Sequence, residues 1–113
     1  DLPPLAIHGS PSGDLLLVSW GSTWGAVAQA VEAAVADGLA VGHVHLRHLN
    51  PFPPDLGTLL QQYRQVLVPE LNLGQLALLL RARYLVDVQQ LDKVQGRPFK
   101  VSEIRDRIRE LVQ

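Results

Sequence analysis

The chain has 113 residues and a mass of 12.4 kDa, the size of one domain, so we expect 1–113 to form a single domain. It contains no cysteine, which excludes disulfides, iron–sulfur clusters held by thiolates, cysteine zinc sites and cysteine nucleophiles. A net charge of -1 argues against a general surface for nucleic acid or anionic membrane, and the apolar runs are too short to span a bilayer. Methionine is absent even at Asp1, which indicates a piece of a longer product.

Apolar runs predict five strands. In chain order they are 5–8, 15–20, 39–46, 65–68 and a weaker, more polar strand at 86–94. The run 15–20 is continuously apolar rather than alternating, which suits a strand buried on both faces. Pro69 is expected to end the fourth strand or to mark a sheet edge, because proline has no amide hydrogen for a ladder.

Four helices are predicted between and after these strands. The first is expected to follow a cap at Ser22 or Thr23 and to end at Gly38. Its apolar positions step by three and four, and they are Trp24, Val27, Ala28, Val31, Ala34 and Val35. A short second helix is expected from the prolines at 53–54 to about Tyr63.

The third and fourth helices are predicted by the same periodicity. Asn72 is the expected cap of a helix at 73–83. The apolar face of that helix is Leu76, Leu79 and Leu80. The last helix has an apolar stripe of Ile104, Ile108, Leu111 and Val112. Arg105, Arg107 and Arg109 alternate there with acidic residues, which favours a solvated, salt-bridged face over a docking surface for an acidic partner.

Alternating strands and helices predict parallel strands joined by right-handed crossovers, which form a three-layer α/β/α sandwich. Ligands of such sheets lie at the carboxyl ends of the strands. The loops of functional interest are therefore 21–25, 47–53 and 70–74.

Three short motifs have a functional and a structural interpretation. The segment 21–25 follows a strand and opens a helix, as phosphate-binding turns do, but it lacks the lysine of a P-loop, so a tight turn with a capped helix is favoured. His43, His45 and His48 have a spacing that can hold a metal, yet no fourth ligand stands nearby, so hydrogen bonding or solvent exposure is favoured. No serine lies in a Gly-x-Ser-x-Gly elbow, so hydrolase chemistry is unsupported.

The segment 70–75 combines a carboxylate, two amides and a glycine at a strand end and a helix start. It can serve as a helix cap, with Asn72 capping, Gly74 allowing close approach and Glu70 complementing the helix dipole. It can equally orient a polar ligand or a neighbouring subunit. The sequence leaves both interpretations open.

Four segments together resemble a known family. They are 18–26, 46–53, 68–76 and 93–99, and the resemblance extends over about 13–110. The chain resembles the carboxyl-terminal domain of the alpha subunit of 2-oxoacid:ferredoxin oxidoreductases, closest to the 2-oxoglutarate type. The resemblance implies a transketolase carboxyl-terminal fold, with a mixed sheet of about five strands whose first strand is antiparallel to the rest.

The resemblance also implies a division of labour within a cytoplasmic, oligomeric enzyme. The complete enzymes decarboxylate a 2-oxoacid on thiamine diphosphate and Mg²⁺, pass electrons through iron–sulfur clusters to ferredoxin, and release an acyl-coenzyme A. This domain would pack on the rest of the alpha subunit and on the thiamine-binding beta subunit. No catalytic, cofactor-binding or metal residue is expected in it, because it has no cysteine and no Gly-Asp-Gly segment followed by asparagines.

Contacts are therefore the expected role, with an apolar patch through which the isolated piece could self-associate. The candidates for an interface or for a wall of the coenzyme A path are Arg47, Asn50, Phe52, Glu70, Asn72, Gly74 and Gln75. His48 departs from the aromatic or aliphatic residue usual in the family. The alternatives are the corresponding domain of a transketolase or a 2-oxoacid dehydrogenase beta chain, and a self-contained small-ligand or nucleotide-binding module that uses 21–25.

Overall fold

The structure is a computed structural model that describes residues 5–47, 49, 52–70, 75–92 and 97–112. The strands are β1 (Ile7–Gly9), β2 (Gly13–Trp20), β3 (Val41–Leu46), β4 (Tyr63–Glu70) and β5 (Val88–Asp92). The helices are α1 (Trp24–Ala36), α2 (Leu56–Leu60), α3 (Gln75–Tyr84) and α4 (Val101–Val112), and a single 3-10 turn (Gly21–Thr23) joins β2 to α1.

The five strands form one sheet in the order β1-β3-β2-β4-β5. β1 is antiparallel to β3, and the other neighbours are parallel. This arrangement confirms the mixed, mostly parallel sheet with an antiparallel first strand. None of the described helices is long and apolar enough to cross a membrane.

Both faces of the sheet are covered, which explains why β2 shows no alternation. Leu15 and Leu17 point to one face and belong to a core that includes residues of α1 and α4. Leu16 and Val18 point to the other face and belong to a core that includes residues of α2 and α3. All four leucine and valine side chains are fully buried. The prediction of a strand buried on both faces is confirmed.

The predicted carboxyl end of α1 is confirmed, and the predicted cap at its amino end is wrong. Gly38 ends the helix as expected: its φ is 86°, its N–H donates to Val35 O at 2.9 Å, and the N–H of Leu39 donates to Ala34 O at 3.0 Å. The predicted side-chain cap is wrong, since Thr23 Oγ1 donates to Trp20 O at 3.1 Å and makes no cap bond. Thr23 has helical rather than extended dihedrals because it ends the 3-10 turn.

Three residues assigned to buried helix faces are exposed, namely Trp24, Leu79, and Val35, which is 40% exposed in the last turn of α1. Trp24 is 51% exposed; it is the first residue of α1, directly after the 3-10 turn, and it borders an open cavity between α1 and the edge strand β1. Leu79 is 45% exposed because α3 rests on the core through Leu76, Ala77 and Leu80. The stripe of α4 is confirmed, with Ile104 and Ile108 fully buried and the two later residues partly so.

The predicted boundaries around β4 are wrong by a few residues. The second helix ends at Leu60, and Tyr63 begins β4 instead. Pro69 lies inside β4, opposite Leu91 of β5. The strand tolerates proline because its pairing with β2 reaches only to Leu67, so one side of the ladder already lacks a strand partner there.

Candidate functional site

The carboxyl ends of β3, β2 and β4 lie side by side at one edge of the sheet, which we call the carboxyl edge. Trp20 at the end of β2 is opposite Leu46 at the end of β3. Leu17 is opposite Leu67, so Glu70, three residues further along β4, is level with Trp20. The chain leaves β2 for α1 on one face of the sheet and leaves β4 for α3 on the opposite face, and the crevice between β2 and β4 is therefore the topological switch point.

The carboxylate of Glu70 lies at this crevice and holds the start of α3. Its two oxygens accept hydrogen bonds from the backbone amides of Leu76 at 2.8 Å and Ala77 at 3.1 Å. Glu70 is almost fully buried, so these charge-assisted bonds satisfy a group that water cannot reach. Glu70 thus anchors the start of α3. The sequence analysis divided this role between Asn72, as the helix cap, and Glu70, as a complement to the helix dipole. Asn72 lies outside the described residues.

A buried hydroxyl joins two histidines next to the same edge. Ser19 Oγ lies 2.7 Å from Nε2 of His43 and 2.7 Å from Nδ1 of His45. Ser19 is opposite His45 in the parallel pairing of β2 and β3, which places the three side chains on one face. A hydroxyl has one hydrogen, so it can donate to one ring and accept from the other when both imidazoles are neutral. We call Ser19, His43 and His45 the histidine cluster.

Both imidazoles of the histidine cluster are shifted toward the neutral form. Burial, and then the neighbouring His8 and His45, lower the pKa of His43 to about 4. Burial and the positive charge of Arg47 lower the pKa of His45 below its ordinary value. The cluster is therefore uncharged at pH 7, which suits its position beside the core.

The two described imidazoles of the histidine motif make hydrogen bonds within the domain. In the part of the chain that the structure describes, no group of three His, Cys, Asp or Glu side chains could hold a metal ion. His43 and His45 share one face as expected, but their ring nitrogens bind Ser19, and His48 lies outside the described residues. The sequence analysis missed Ser19, whose only signal is a polar residue inside an otherwise apolar strand.

Two exposed tryptophans flank the 3-10 turn on the carboxyl edge. Trp20 is 40% exposed and Trp24 is 51% exposed. Gly21 between them has a φ of 68°, which lets the chain turn sharply out of β2. The loop 21–25 therefore presents two large aromatic surfaces to whatever lies beyond the sheet.

The structure brings together some of the predicted site residues. Arg47 is exposed directly after β3, and Gln75 is exposed as the first residue of α3, so both lie with Glu70 at the carboxyl edge. Phe52 lies elsewhere: its ring packs 5.8 Å from that of Tyr84, at the far end of α3. The remaining candidates, which are Asn50, Asn72 and Gly74, lie outside the described residues.

Comparison with known proteins identifies the chain. Residues 13–104 match the family model for the pyruvate:ferredoxin oxidoreductase core domain II. The chain belongs to this family. It is similar to the 2-oxoglutarate oxidoreductase subunit KorA of Mycobacterium tuberculosis, with 52% identity over 91% of this chain and 16% of that protein. It is also similar to the alpha subunit of 2-oxoacid:ferredoxin oxidoreductase 2 of Aeropyrum pernix, with 32% identity over 95% of this chain and 17% of that protein.

Solved structures agree with the assignment to core domain II. The 2-oxoglutarate:ferredoxin oxidoreductase of Magnetococcus marinus superimposes with a TM-score of 0.92 at 30% identity, over 99% of this chain and 20% of that chain. A split-gene transketolase superimposes with a TM-score of 0.71 at 17% identity, over 95% of this chain and 41% of that chain, and shows the fold alone. The resemblance to alpha subunits of 2-oxoacid:ferredoxin oxidoreductases is thus confirmed, and the alternative assignments are not favoured. The chain spans about a sixth of the curated relatives named above.

Proposed function

We propose that residues 1–113 form a noncatalytic, architectural domain at the carboxyl end of an alpha subunit, and that they contribute contacts to an assembled 2-oxoacid:ferredoxin oxidoreductase. The complete complex would oxidatively decarboxylate a 2-oxoacid to an acyl-coenzyme A and reduce ferredoxin. The Magnetococcus marinus enzyme was solved with 2-oxoglutarate, coenzyme A and succinyl-CoA bound, which supports a 2-oxoacid of the 2-oxoglutarate type.

The observation that supports an interface best is the contrast at the carboxyl edge between satisfied polar groups and exposed aromatic ones. Glu70 binds amides of α3, and the Ser19 hydroxyl binds two imidazoles, so these groups already have partners within the domain. Trp20 and Trp24 instead present large apolar surfaces to solvent. Tryptophan is enriched in protein interfaces, and its exposure here favours a protein partner over a small substrate.

The residues of this chain do not fit the cofactors of the complete reaction. The chain has no cysteine for an iron–sulfur cluster, and the described residues contain no cluster of acidic or imidazole ligands for a metal. We therefore place thiamine diphosphate, Mg²⁺ and the iron–sulfur cluster in the thiamine-binding beta subunit and in the rest of the complex. A calorimetric titration of the chain with thiamine diphosphate should give no binding heat, and micromolar affinity would contradict this proposal.

Arg47 and Gln75 are the described candidates best placed for contacts at this edge, since Arg47 is exposed directly after β3 and Gln75 is exposed at the start of α3. Their donors suit a neighbouring subunit or the wall of a coenzyme A path. Asn50, Asn72 and Gly74 remain candidates from the sequence. In the isolated chain the exposed tryptophans are also the surface through which self-association is expected.

The test replaces one tryptophan in the complete alpha subunit. Trp20→Gln should weaken association with the beta subunit at least tenfold, measured by mass photometry over a dilution series. The matched control is Leu85→Gln, because Leu85 is 89% exposed but follows Tyr84 at the other end of α3, away from the carboxyl edge. Equal dissociation constants for the two variants would contradict an interface at this edge.

A further inference from the structure

A cavity of about 310 Å³ lies between the edge strand β1 and helix α1. Its walls include His8 of β1, His43 of the histidine cluster, and a stripe of α1 with Trp24 at one end and Glu32 further along. Ala28 lies one helical turn after Trp24 and one before Glu32, and its small side chain leaves the space between them. The volume is at the lower end of the range of pockets that bind small groups.

One nitrogen of a buried imidazole is open to this cavity. His43 is 1% exposed, and its Nε2 is held by Ser19 Oγ. No group among the described residues bonds Nδ1 of His43. Since no buried side-chain nitrogen or oxygen in that part of the chain lacks a partner, Nδ1 is reached from the cavity rather than sealed in protein. The cavity therefore has a polar atom that is fixed in place by the fold.

The charges around the cavity favour a cation. Glu32 is exposed and adds a carboxylate, and none of the described residues that line the cavity is a lysine or an arginine. Burial keeps His43 neutral at pH 7, because its pKa is lowered to about 4. The ring face of Trp24 attracts positive charge. His8 places a second imidazole 6.2 Å from that of His43. An anion would meet the carboxylate of Glu32, and no guanidinium or ammonium among the described wall residues would compensate it.

The shape of the walls favours a planar cation. A guanidinium can stack on an indole face while its N–H groups donate to a carboxylate and to an imidazole nitrogen, whereas an ammonium is a compact point charge. His43 can serve as that acceptor if Nε2–H donates to Ser19 Oγ and the Ser19 hydroxyl donates to Nδ1 of His45. The rim of the cavity includes Val35, an apolar side chain that is 40% exposed, and the half-exposed indole of Trp24. Exposed apolar surface of this kind is typical of a face that another protein surface covers.

We propose that the cavity between β1 and α1 receives the side chain of an arginine that belongs to a polypeptide segment outside residues 1–113, within the assembled oxidoreductase. The inference deepens the interface role proposed above and rests on it. The guanidinium stacks on Trp24, pairs with Glu32 and donates to Nδ1 of His43. It thereby selects one tautomer of the histidine cluster.

Arginine footprinting of the assembled complex tests the proposal. Phenylglyoxal modifies accessible guanidinium groups, and mass spectrometry assigns each modified residue. In the unsubstituted complex one arginine outside the 113 residues should react at least tenfold more slowly than exposed arginines. In the Glu32→Gln variant this protected arginine should react with phenylglyoxal several-fold faster than in the unsubstituted complex. In the Trp24→Leu variant it should react about threefold faster or more.

Both substituted side chains are exposed, and circular dichroism checks that the variants stay folded. The matched control is Glu110→Gln, because Glu110 is an exposed carboxylate on α4 outside the cavity, and it should leave that arginine protected.

The outcomes separate this inference from the proposed function. If the complex assembles but no outside arginine responds more to Glu32→Gln than to Glu110→Gln, the inference is wrong and the interface role stands. If acetylation shows a protected lysine at the cavity instead, the choice of a guanidinium is wrong. If the chain enters no complex at all, the proposed function itself fails.

Discussion

The two ends of β2 have opposite characters, although they belong to one continuous strand. From Leu15 to Val18 every side chain is apolar and fully buried, and the strand joins the cores on both faces of the sheet. At the carboxyl end, Ser19 is buried but polar, and Trp20 is large, apolar and 40% exposed. The middle of the strand therefore supports the fold, while its end provides a hydroxyl with hydrogen-bonding partners and an indole that is partly open to solvent.

The largest expected effect comes from the buried middle of the strand. Leu17→Ala should lower the free energy of unfolding by about 2–5 kcal/mol, because the surrounding core cannot fully close the cavity that it leaves. Denaturant melts of the chain measure this change. Leu78→Ala is the control, since Leu78 is 64% exposed, and it should change stability by no more than about 0.5 kcal/mol. Equal losses of stability in the two variants would mean that Leu17 does not belong to the packed core.

The second prediction concerns the polar end of the strand and pH. Because the pKa of His43 is lowered from 6.5 to about 4 in the folded chain, the unfolded chain binds a proton first as pH falls. The contribution of neutral His43 to the free energy of unfolding is fully present above pH 6.5. It is progressively lost as the pH falls from 6.5 to 4, by about 3 kcal/mol in total.

Urea melts at pH 7.5, 5.5 and 4 of the wild type and of His43→Gln isolate this contribution from that of the carboxylates. The difference in stability between the two proteins should shift in favour of the variant as pH falls. A difference independent of pH would contradict a neutral His43.

The third prediction separates the two possible anchors of α3. Glu70→Gln should cost about 1–2 kcal/mol, because it removes the charge from two hydrogen bonds to the helix amides. If Asn72 caps the helix as the sequence predicts, Asn72→Ala should cost about 1 kcal/mol. Thermal melts of the two variants rank them. A larger loss for Asn72→Ala than for Glu70→Gln would return the capping role to Asn72.

The smallest expected effect on stability is at the exposed aromatic edge. Trp24→Gln should leave the free energy of unfolding of the chain within about 0.5 kcal/mol of the wild type, since the side chain is 51% exposed. The same substitution should reduce the tendency of the isolated chain to self-associate, measured by sedimentation over a concentration series. A loss of stability comparable with that of Leu17→Ala would show that the indole belongs to the core.

Much of the fold could be predicted because long-range burial leaves a local pattern. The continuous apolar run of β2 reflects a strand covered on both faces, and the stripe of α4 reflects a helix packed on one side. Element boundaries were less predictable. Whether Tyr63 ends a helix or begins a strand depends on the neighbouring strand, since it lies opposite Gly13 in the sheet.

The candidate site was predictable only in outline. The rule that ligands and contacts gather at the carboxyl ends of strands predicts a site in the loops after β2, β3 and β4, and Arg47, Glu70 and Gln75 lie at that edge. It could not foresee that Glu70 binds amides of α3 or that Ser19 joins His43 to His45, because each contact links residues brought together by strand pairing or by a turn. Phe52 is the opposite case. The sequence predicts its loop as part of a contact surface, but the Phe52 ring packs against that of Tyr84 at the far end of α3.

The sequence by itself determined the alternation of strands and helices and the absence of thiolate chemistry, because these depend on residue type and on periodicity along the chain. The family came from the resemblance of four segments to known alpha subunits and from the match to the family model. Only the tertiary structure decided which polar groups are satisfied and which surfaces stay open. A hydroxyl, an imidazole or an indole has the same identity in every environment. Its partner and its exposure depend on the segments that pack beside it, and these come from distant parts of the chain.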